Sequence, residues 1–330
     1  MSARTRGRIE AVTIVAIFAC VILAPLGGSR LVIYNLTITA IYAMVVVSLN
    51  LVLGLAGQVS FAQTTFMAIG GYGTAILTTR IGLGPWLSLI ISALLALCSA
   101  LVIGIPLLRL RGHYLAMATF ALALGTNSFV TAATPLTNGS IGISGIPPLS
   151  IGSFAIDDPR NFYVLSWVAC AASMGIFALL AQSHIGRAWR ALATRQEIAE
   201  SLAIDVTAYK VLAFAISAFI ASVAGSFYVE FTSFVGPDLY DIGIVLNILL
   251  MLFIGGRGSH AGPVLGAAIL TFAPQLLAGL EQYQNLVFFG FLLLLILVWP
   301  SGIFGRVRDS GPIDLVLPVW LRRRLTTRTP

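Results

Sequence analysis

A carboxylate stranded in an apolar run is the first feature of this sequence that chemistry would use. Glu230 is the only acid well inside such a run, about two helical turns before Pro237. A group so placed can carry a proton or line a polar cavity, because burying it in lipid is expensive. Asn50, Gln58 and Gln63 pose the same question as neutral amides. With Ser60, Thr64 and Thr65 they sit among the glycines at 54, 57, 70, 71 and 73, where a helical hairpin can break or unwind around a cavity. Asn50, Gln58, Gln63 and Glu230 are therefore the candidates for a translocation path. The serines and threonines carry less weight, since their hydroxyls bond back to their own helix. A single carboxylate without a buried Lys, Arg or second acid nearby makes a weak proton relay, which favours a structural or cavity-lining role for Glu230.

Other chemistry finds little support. His113, His184 and His260 are scattered over different segment ends without metal-ligand spacing. Cys20, Cys98 and Cys170 each sit in a long apolar stretch with no CxxC, and read as small buried hydrophobes. The stretch GGRGSHAG, from Gly255 to Gly262, lacks the GxxxxGK[ST] pattern of a phosphate loop, and no other segment supplies one. The chain is accordingly not expected to hydrolyse ATP; energy for transport would come from a partner subunit or an ion gradient. The glycines suit a tight turn before a helix that begins near Pro263.

These residues belong to a chain of 330 residues that is 58% hydrophobic and 9% charged, against about a quarter charged in a soluble domain. Apolar runs fall at about 9–27, 31–53, 58–79, 86–108, 113–134, 162–182, 209–234, 240–256, 261–280 and 284–300. Each is near the roughly 20 residues that span a bilayer. The expectation is an all-α polytopic transmembrane bundle of about ten spans. Threading it with Arg4, Arg6 and Arg8 inside leaves only Arg30, Arg80 and Arg160 of the 19 basic residues outside. That bias puts both termini in the cytoplasm and explains a pI near 9.7 without any nucleic acid. The first segment resembles a signal peptide, but Pro25 just after Ala24 disfavours cleavage. The chain reads as one membrane domain over residues 1–305, followed by a basic cytoplasmic tail at 306–330.

Two connections are long enough to carry structure. Residues 135–161 are rich in Gly, Pro and Ser and fall outside; Asp157 and Asp158 make this loop a candidate contact for an external protein. Residues 183–208 fall inside, are basic, and read as helical. There Ala188, Ala191, Leu192, Ile198, Ala199 and Leu202 recur at spacings of three and four and form one apolar stripe. Thr194 and Glu197 match a capping box, so a short helix is expected to restart at Arg195. Such a helix can dock into another protein's groove or lie on anionic lipid through Arg187 and Arg190, and periodicity leaves both open.

The same loop, RAWRALATRQEIAESLAID, resembles the EAA loop of ABC-importer permeases in its branched-chain amino-acid form. Five further blocks resemble LivM-type permeases in that family's order: Leu49–Tyr72, Gly112–Gly125, Thr137–Pro147, Phe253–Ala267 and Leu295–Gly305. Ala203 stands where such loops usually carry Gly, and Ala62 and Gln63 where the first block usually carries Gly and His. The resemblance implies that Glu197 and its helix bind a cytoplasmic ATPase, with Arg187, Arg190, Leu192, Ile198 and Leu202 as coupling residues. It implies a second, LivH-type permease, two ATPase subunits that bind the ATP and Mg, an extracytoplasmic substrate-binding protein, and a place in the inner membrane. No cofactor is expected in this chain. Branched-chain amino acids are the first cargo, with other amino acids, amides and urea handled by relatives. The rival readings are an autonomous proton-coupled carrier built on Glu230 and a passive channel.

Overall fold

The computed structural model of the chain describes residues 29–110, 112–151, 154–155, 158–194, 205–276 and 290. The expected first and tenth spans, the basic tail and residues 195–204 lie outside them. The principal helices are α1 (Arg30–Leu49), α2 (Gln63–Thr79), α3 (Pro85–Leu107), α4 (His113–Ala132), α5 (Pro159–Gln182), α6 (His184–Thr194), α7 (Val206–Thr232), α8 (Ile242–Gly255) and α9 (Gly262–Leu276). Their starts are local: Pro85 and Pro159 open α3 and α5, where a missing N–H costs nothing. The carboxylates of Asp158 and Asp205 cap α5 and α7, accepting from Arg160 N and Ala208 N at 3.0 Å. Asp158, a candidate external contact, caps its own helix through Oδ1 and remains exposed, and Asp157 is not among the described residues.

Each of the eight expected spans that fall within the described residues contains a helix, but the helices are not equivalent. α1 with its continuation, α3, α4, α5 and α7 are long and apolar enough to cross a bilayer. α2, α8 and α9 are described over 17, 14 and 15 residues. A 14-residue helix rises only about 21 Å, short of a 30 Å core. α8 is short because a 3₁₀ turn at Pro237–Tyr240 precedes it and Gly256, at φ 105°, ends it. α2 is short because residues 56–62 form an irregular segment with Gln58, Ser60 and Ala62 buried. Backbone of that kind is tolerated at membrane depth only inside protein, so the hairpin breaks where its glycines suggested.

On α3 and α5 large aliphatic side chains face outward, while serines on α3, α5 and α7 are buried. Val102, Val168 and Leu179 are 73%, 60% and 75% exposed, whereas Ser92, Ser166, Ser217 and Ser222 have no exposed surface. This is the pattern of helices packed in lipid, where small residues let backbones approach. Cys170 follows expectation in the core; Cys98 faces outward on α3. α7 is the central helix, packed on α2, α3 and α1. α2 crosses α7 closely: a Cβ at Gly70 would meet the backbone of Ser222, and one at Gly225 the backbone of Met67.

Arg109 and Arg257 lie in turns, Arg187 and Arg190 on α6, and Lys210 in the first turns of α7. At the end away from α6, residues 134–151 fold back on the bundle rather than hanging free. Strand β1 (Ile143–Ser144) pairs antiparallel with β4 (Phe234–Val235) after α7, and β2 (Ser150–Ile151) with β3 (Phe154–Ala155). Arg80 donates to Pro135 O at 2.6 Å and to Asn138 Oδ1 at 3.0 Å. Ile146 and Leu149 are buried in the main core.

Candidate functional site

The basic end is organised around α6. Ser183 Oγ accepts from Gly186 N at 3.2 Å, restarting the helix one residue after α5 stops. Within α6 the expected apolar stripe holds at Leu192 and is joined by Trp189, while Ile185, Ala188 and Ala191 are half-buried. An indole far outweighs an alanine methyl in buried area, so Trp189 sets the rotation of the helix. It has no exposed surface, and its Nε1–H donates to Tyr209 O at 2.8 Å on α7. Leu192 packs in the same cluster with Leu51, Leu55 and Phe177. Arg190 donates to Ala181 O at 2.6 Å and the exposed Arg187 to Gln182 O at 3.4 Å, so both guanidinium groups sit at the negative end of α5. Glu197, Ile198 and Leu202, with the helix restart at Arg195, are outside the described residues.

Gly57 carries α6 onto the broken hairpin. It has φ +69°, and a Cβ there would lie 2.8 Å from the Ala193 Cα. Trp189→Ala is expected to destabilise the protein by about 3–5 kcal/mol, the range for emptying a large aromatic site. Trp189→Phe should cost only about 1 kcal/mol through the lost hydrogen bond. Unfolding midpoints in detergent would separate the two, and equal losses would contradict the packing described.

Next to α6 the chain leaves α-helical geometry. Residues Asn50–Leu55 form a π-helix that continues α1, a wide turn found mostly at functional sites. Asn50 opens it with no exposed surface, and both ends of its amide are engaged. Nδ2 donates to Ser259 O at 2.8 Å, and Gly258 N donates to Oδ1 at 2.7 Å. One side chain therefore clamps the GGRGSHAG turn, 209 residues away in sequence. Ser259 Oγ in turn accepts from Gly262 N at 2.8 Å and starts α9. The glycine-rich stretch is a packed turn held from α1.

Gln63 joins three helices. Its Oε1 accepts from Ser48 Oγ on α1 at 2.9 Å, and its Nε2 donates to Ser217 Oγ on α7 at 3.0 Å. Above it runs a ladder of hydroxyls. Thr74 Oγ1 donates to Ser226 Oγ at 2.8 Å, and Ser222 Oγ donates to Ser92 O at 3.2 Å. Ser222, Ser226 and Glu230 are spaced by four on α7, so the carboxylate stands one turn beyond this ladder. Glu230 is 2% exposed, and neither carboxylate oxygen has a hydrogen-bond partner among the described residues. The same holds for both amide atoms of Gln58, which is 4% exposed. Gln63 borders a small void with Ser60 and Thr64. Asn50, Gln58 and Glu230 do not line the larger cavity found between α1, α7, α8 and α9.

Sequence reasoning named the amides and missed both Trp189 and the hydroxyl ladder. The four-residue spacing of Ser222, Ser226 and Glu230 was the available signal for the second.

A lipid-facing apolar exterior, a buried lattice of hydroxyls and amides, and helices broken inside the bundle together define a multi-pass membrane protein of the transport class. The chain belongs to the family described as "Branched-chain amino acid transport system / permease component", which matches residues 31–297. It is 28% identical over 320 residues to the high-affinity branched-chain amino acid transport system permease protein LivM of Escherichia coli, covering 90% of this chain and 75% of that protein. It is 27% identical over 293 residues to LivH of the same organism, covering 82% of this chain and 94% of that one. A third relative, BraD of Pseudomonas aeruginosa, is 28% identical over 293 residues, covering 82% of this chain and 94% of its own length. No solved structure matches.

Proposed function

We propose that this chain is one permease of an ATP-driven importer that moves branched-chain amino acids, or related amino acids, amides or urea, into the cytoplasm. In this reading it sits in the inner membrane with about ten spans and both termini inside, residues 1–305 forming a single membrane domain. A LivH-type permease pairs with it, two ATPases bind the ATP and Mg beneath it, and an extracytoplasmic binding protein delivers cargo. The support from other proteins is the relatives' names, which describe permeases of branched-chain amino-acid transport.

The observation that carries the mechanism is the seating of α6. It touches α5, the π-helix and α7, and it rests on the loop at Gly57. The π-helix holds the turn before α9 through Asn50. A push on residues 184–203 by a closing ATPase would thus reach α1, α7 and α9 together, as rigid elements moving about a fixed cavity. Arg187, Arg190 and Leu192 brace α6 against the bundle in this scheme. Glu197, Ile198 and Leu202 continue toward the ATPase, and Asn50, Gln58, Gln63 and Glu230 are the polar groups near the moving helices.

The test is purification from the native operon followed by reconstitution. Glu197→Lys and Leu202→Asp should each abolish ATP-dependent uptake and co-purification of the ATPases, while the chain still inserts in the membrane. Uptake that persists without ATPases and follows a proton gradient would overturn this reading and make Glu230 the residue to study.

A further inference from the structure

The basic side chains that the charge bias assigns to the inner face are not equally committed. Arg187 and Arg190 donate to the Gln182 and Ala181 carbonyls near the end of α5. Arg257 lies over the Phe253 ring, 5.0 Å from its centroid, and Lys210 is buried near the start of α7. Arg109 is different. It is exposed, and its guanidinium has no hydrogen bond, ion pair or ring contact among the described residues. Five N–H donors in a planar fork are thereby left for a partner outside the fold.

The neighbours of Arg109 say where that partner lies. α3 has 23 residues and so rises about 34 Å, enough to cross a hydrocarbon core of about 30 Å. Arg109 comes just after its last residue, Leu107, and α4 begins at His113, which puts the turn between them at the depth of the headgroups. Val102 and Ile105 of α3 precede Arg109 at spacings of three and four, and both are exposed. On α4, Tyr114 and Met117 are 73% and 69% exposed. Both helices therefore turn apolar surface to lipid immediately beside the cationic turn, and tyrosine is the residue type that sits where hydrocarbon meets headgroup. The exposed His113 adds an imidazole N–H donor, and Arg111 lies between the two in sequence. An acidic protein would complement the charge alone. A phospholipid complements both parts, its phosphate matching the guanidinium and its acyl chains the apolar side chains.

We propose that the turn between α3 and α4 binds an anionic phospholipid of the cytoplasmic leaflet. Arg109 would grip the phosphate through two parallel N–H donors, His113 would donate a further hydrogen bond, and Arg111 would add its charge. The acyl chains would lie along Val102 and Ile105 on one side and Tyr114 and Met117 on the other. The site takes its leaflet from the proposed threading of the chain and owes nothing to the importer reading. α6 is not part of it, since that helix packs on α5, the π-helix and α7.

The experiment places the full chain, with the subunits that co-purify, in nanodiscs of phosphatidylcholine and phosphatidylglycerol. A trace of phosphatidylglycerol carries a diazirine on one acyl chain, close to the headgroup. Photolabelling should map to peptides carrying Ile105, Tyr114 or Met117, and should be suppressed by excess unlabelled phosphatidylglycerol but not by phosphatidylcholine. Arg109→Gln should lower it about fivefold, the change expected for one basic side chain near an anionic surface. Arg109→Lys keeps the charge and should retain most of the labelling. Because Arg109 has no partner within the described fold, the unfolding midpoint in detergent should stay where it is; a lowered midpoint in Arg109→Gln would make the residue structural and overturn its assignment. Arg187→Gln is the control, since that guanidinium is held on α5, and it should leave labelling of the turn unchanged. Equal labelling in wild type and Arg109→Gln, or by a phosphatidylcholine probe of the same design, overturns the site. Displacement by inorganic phosphate would reduce it to an anion site without lipid. A crosslink from the turn to carboxylates of a co-purifying protein, with no lipid label there, would replace the lipid with a protein contact.

Discussion

Asn50→Leu should cost the protein about 2–6 kcal/mol of stability, although leucine nearly matches asparagine in shape. The substitution leaves the Gly258 N–H and the Ser259 carbonyl buried without the partners they have at 2.7 and 2.8 Å. Each unsatisfied buried group costs about 1–3 kcal/mol. Asn50→Asp should do no better: it keeps an acceptor for Gly258 but turns an anionic oxygen toward the Ser259 carbonyl. Thermal unfolding in detergent, followed by size exclusion, reads both. Because the clamp holds the turn that opens α9, transport should fall even in the fraction that stays folded. A variant at position 50 with wild-type stability would show that the clamp contributes nothing.

Gly225→Leu should prevent the protein from accumulating in the membrane at all. A Cβ at position 225 would meet the Met67 backbone, and main chain, unlike a flexible side chain, has nowhere to move. Even Gly225→Ala should force α2 and α7 apart, with an overpacking cost of about 1–3 kcal/mol. It should also strain the Gln63–Ser217 and Thr74–Ser226 hydrogen bonds between the same helices. Gly175, on α5, is the matched control. Nothing lies within 4 Å of a Cβ built there, so Gly175→Ala should be neutral or gain up to about 1 kcal/mol of helix propensity. Comparable losses at 225 and 175 would mean that the close crossing is not what holds the pair.

Much of the architecture was legible because a bilayer imposes a coarse rule on sequence. Apolar runs of about 20 residues bounded by arginine predicted a helix in every expected span that falls within the described residues. The glycines around Gln58 predicted a broken hairpin, and the pattern of residues 183–208 predicted a helical basic loop, seen at His184–Thr194 among the described residues. The six ordered blocks placed the chain in its family. What failed was finer. The periodicity of alanines found Leu192 in the apolar stripe of α6 but passed over Trp189, since it counted methyl groups equally with an indole. That the amide of Asn50 is engaged at both ends was not legible, because its partners lie more than 200 residues on.

The sequence by itself determined that this is a multi-pass helical membrane protein, because hydropathy and basic-residue bias act segment by segment and need no knowledge of neighbours, while its resemblance to permeases came from the ordered blocks. Only the tertiary structure decided which polar residues are occupied and which are waiting. Asn50 and Gln63 spend their hydrogen bonds on other helices. Asn35 does not spend its Nδ2 donor on any described residue, although it is buried between packed helices. Satisfaction of a buried polar group is a property of its three-dimensional surroundings, and residues on four separate helices create that property only after they pack.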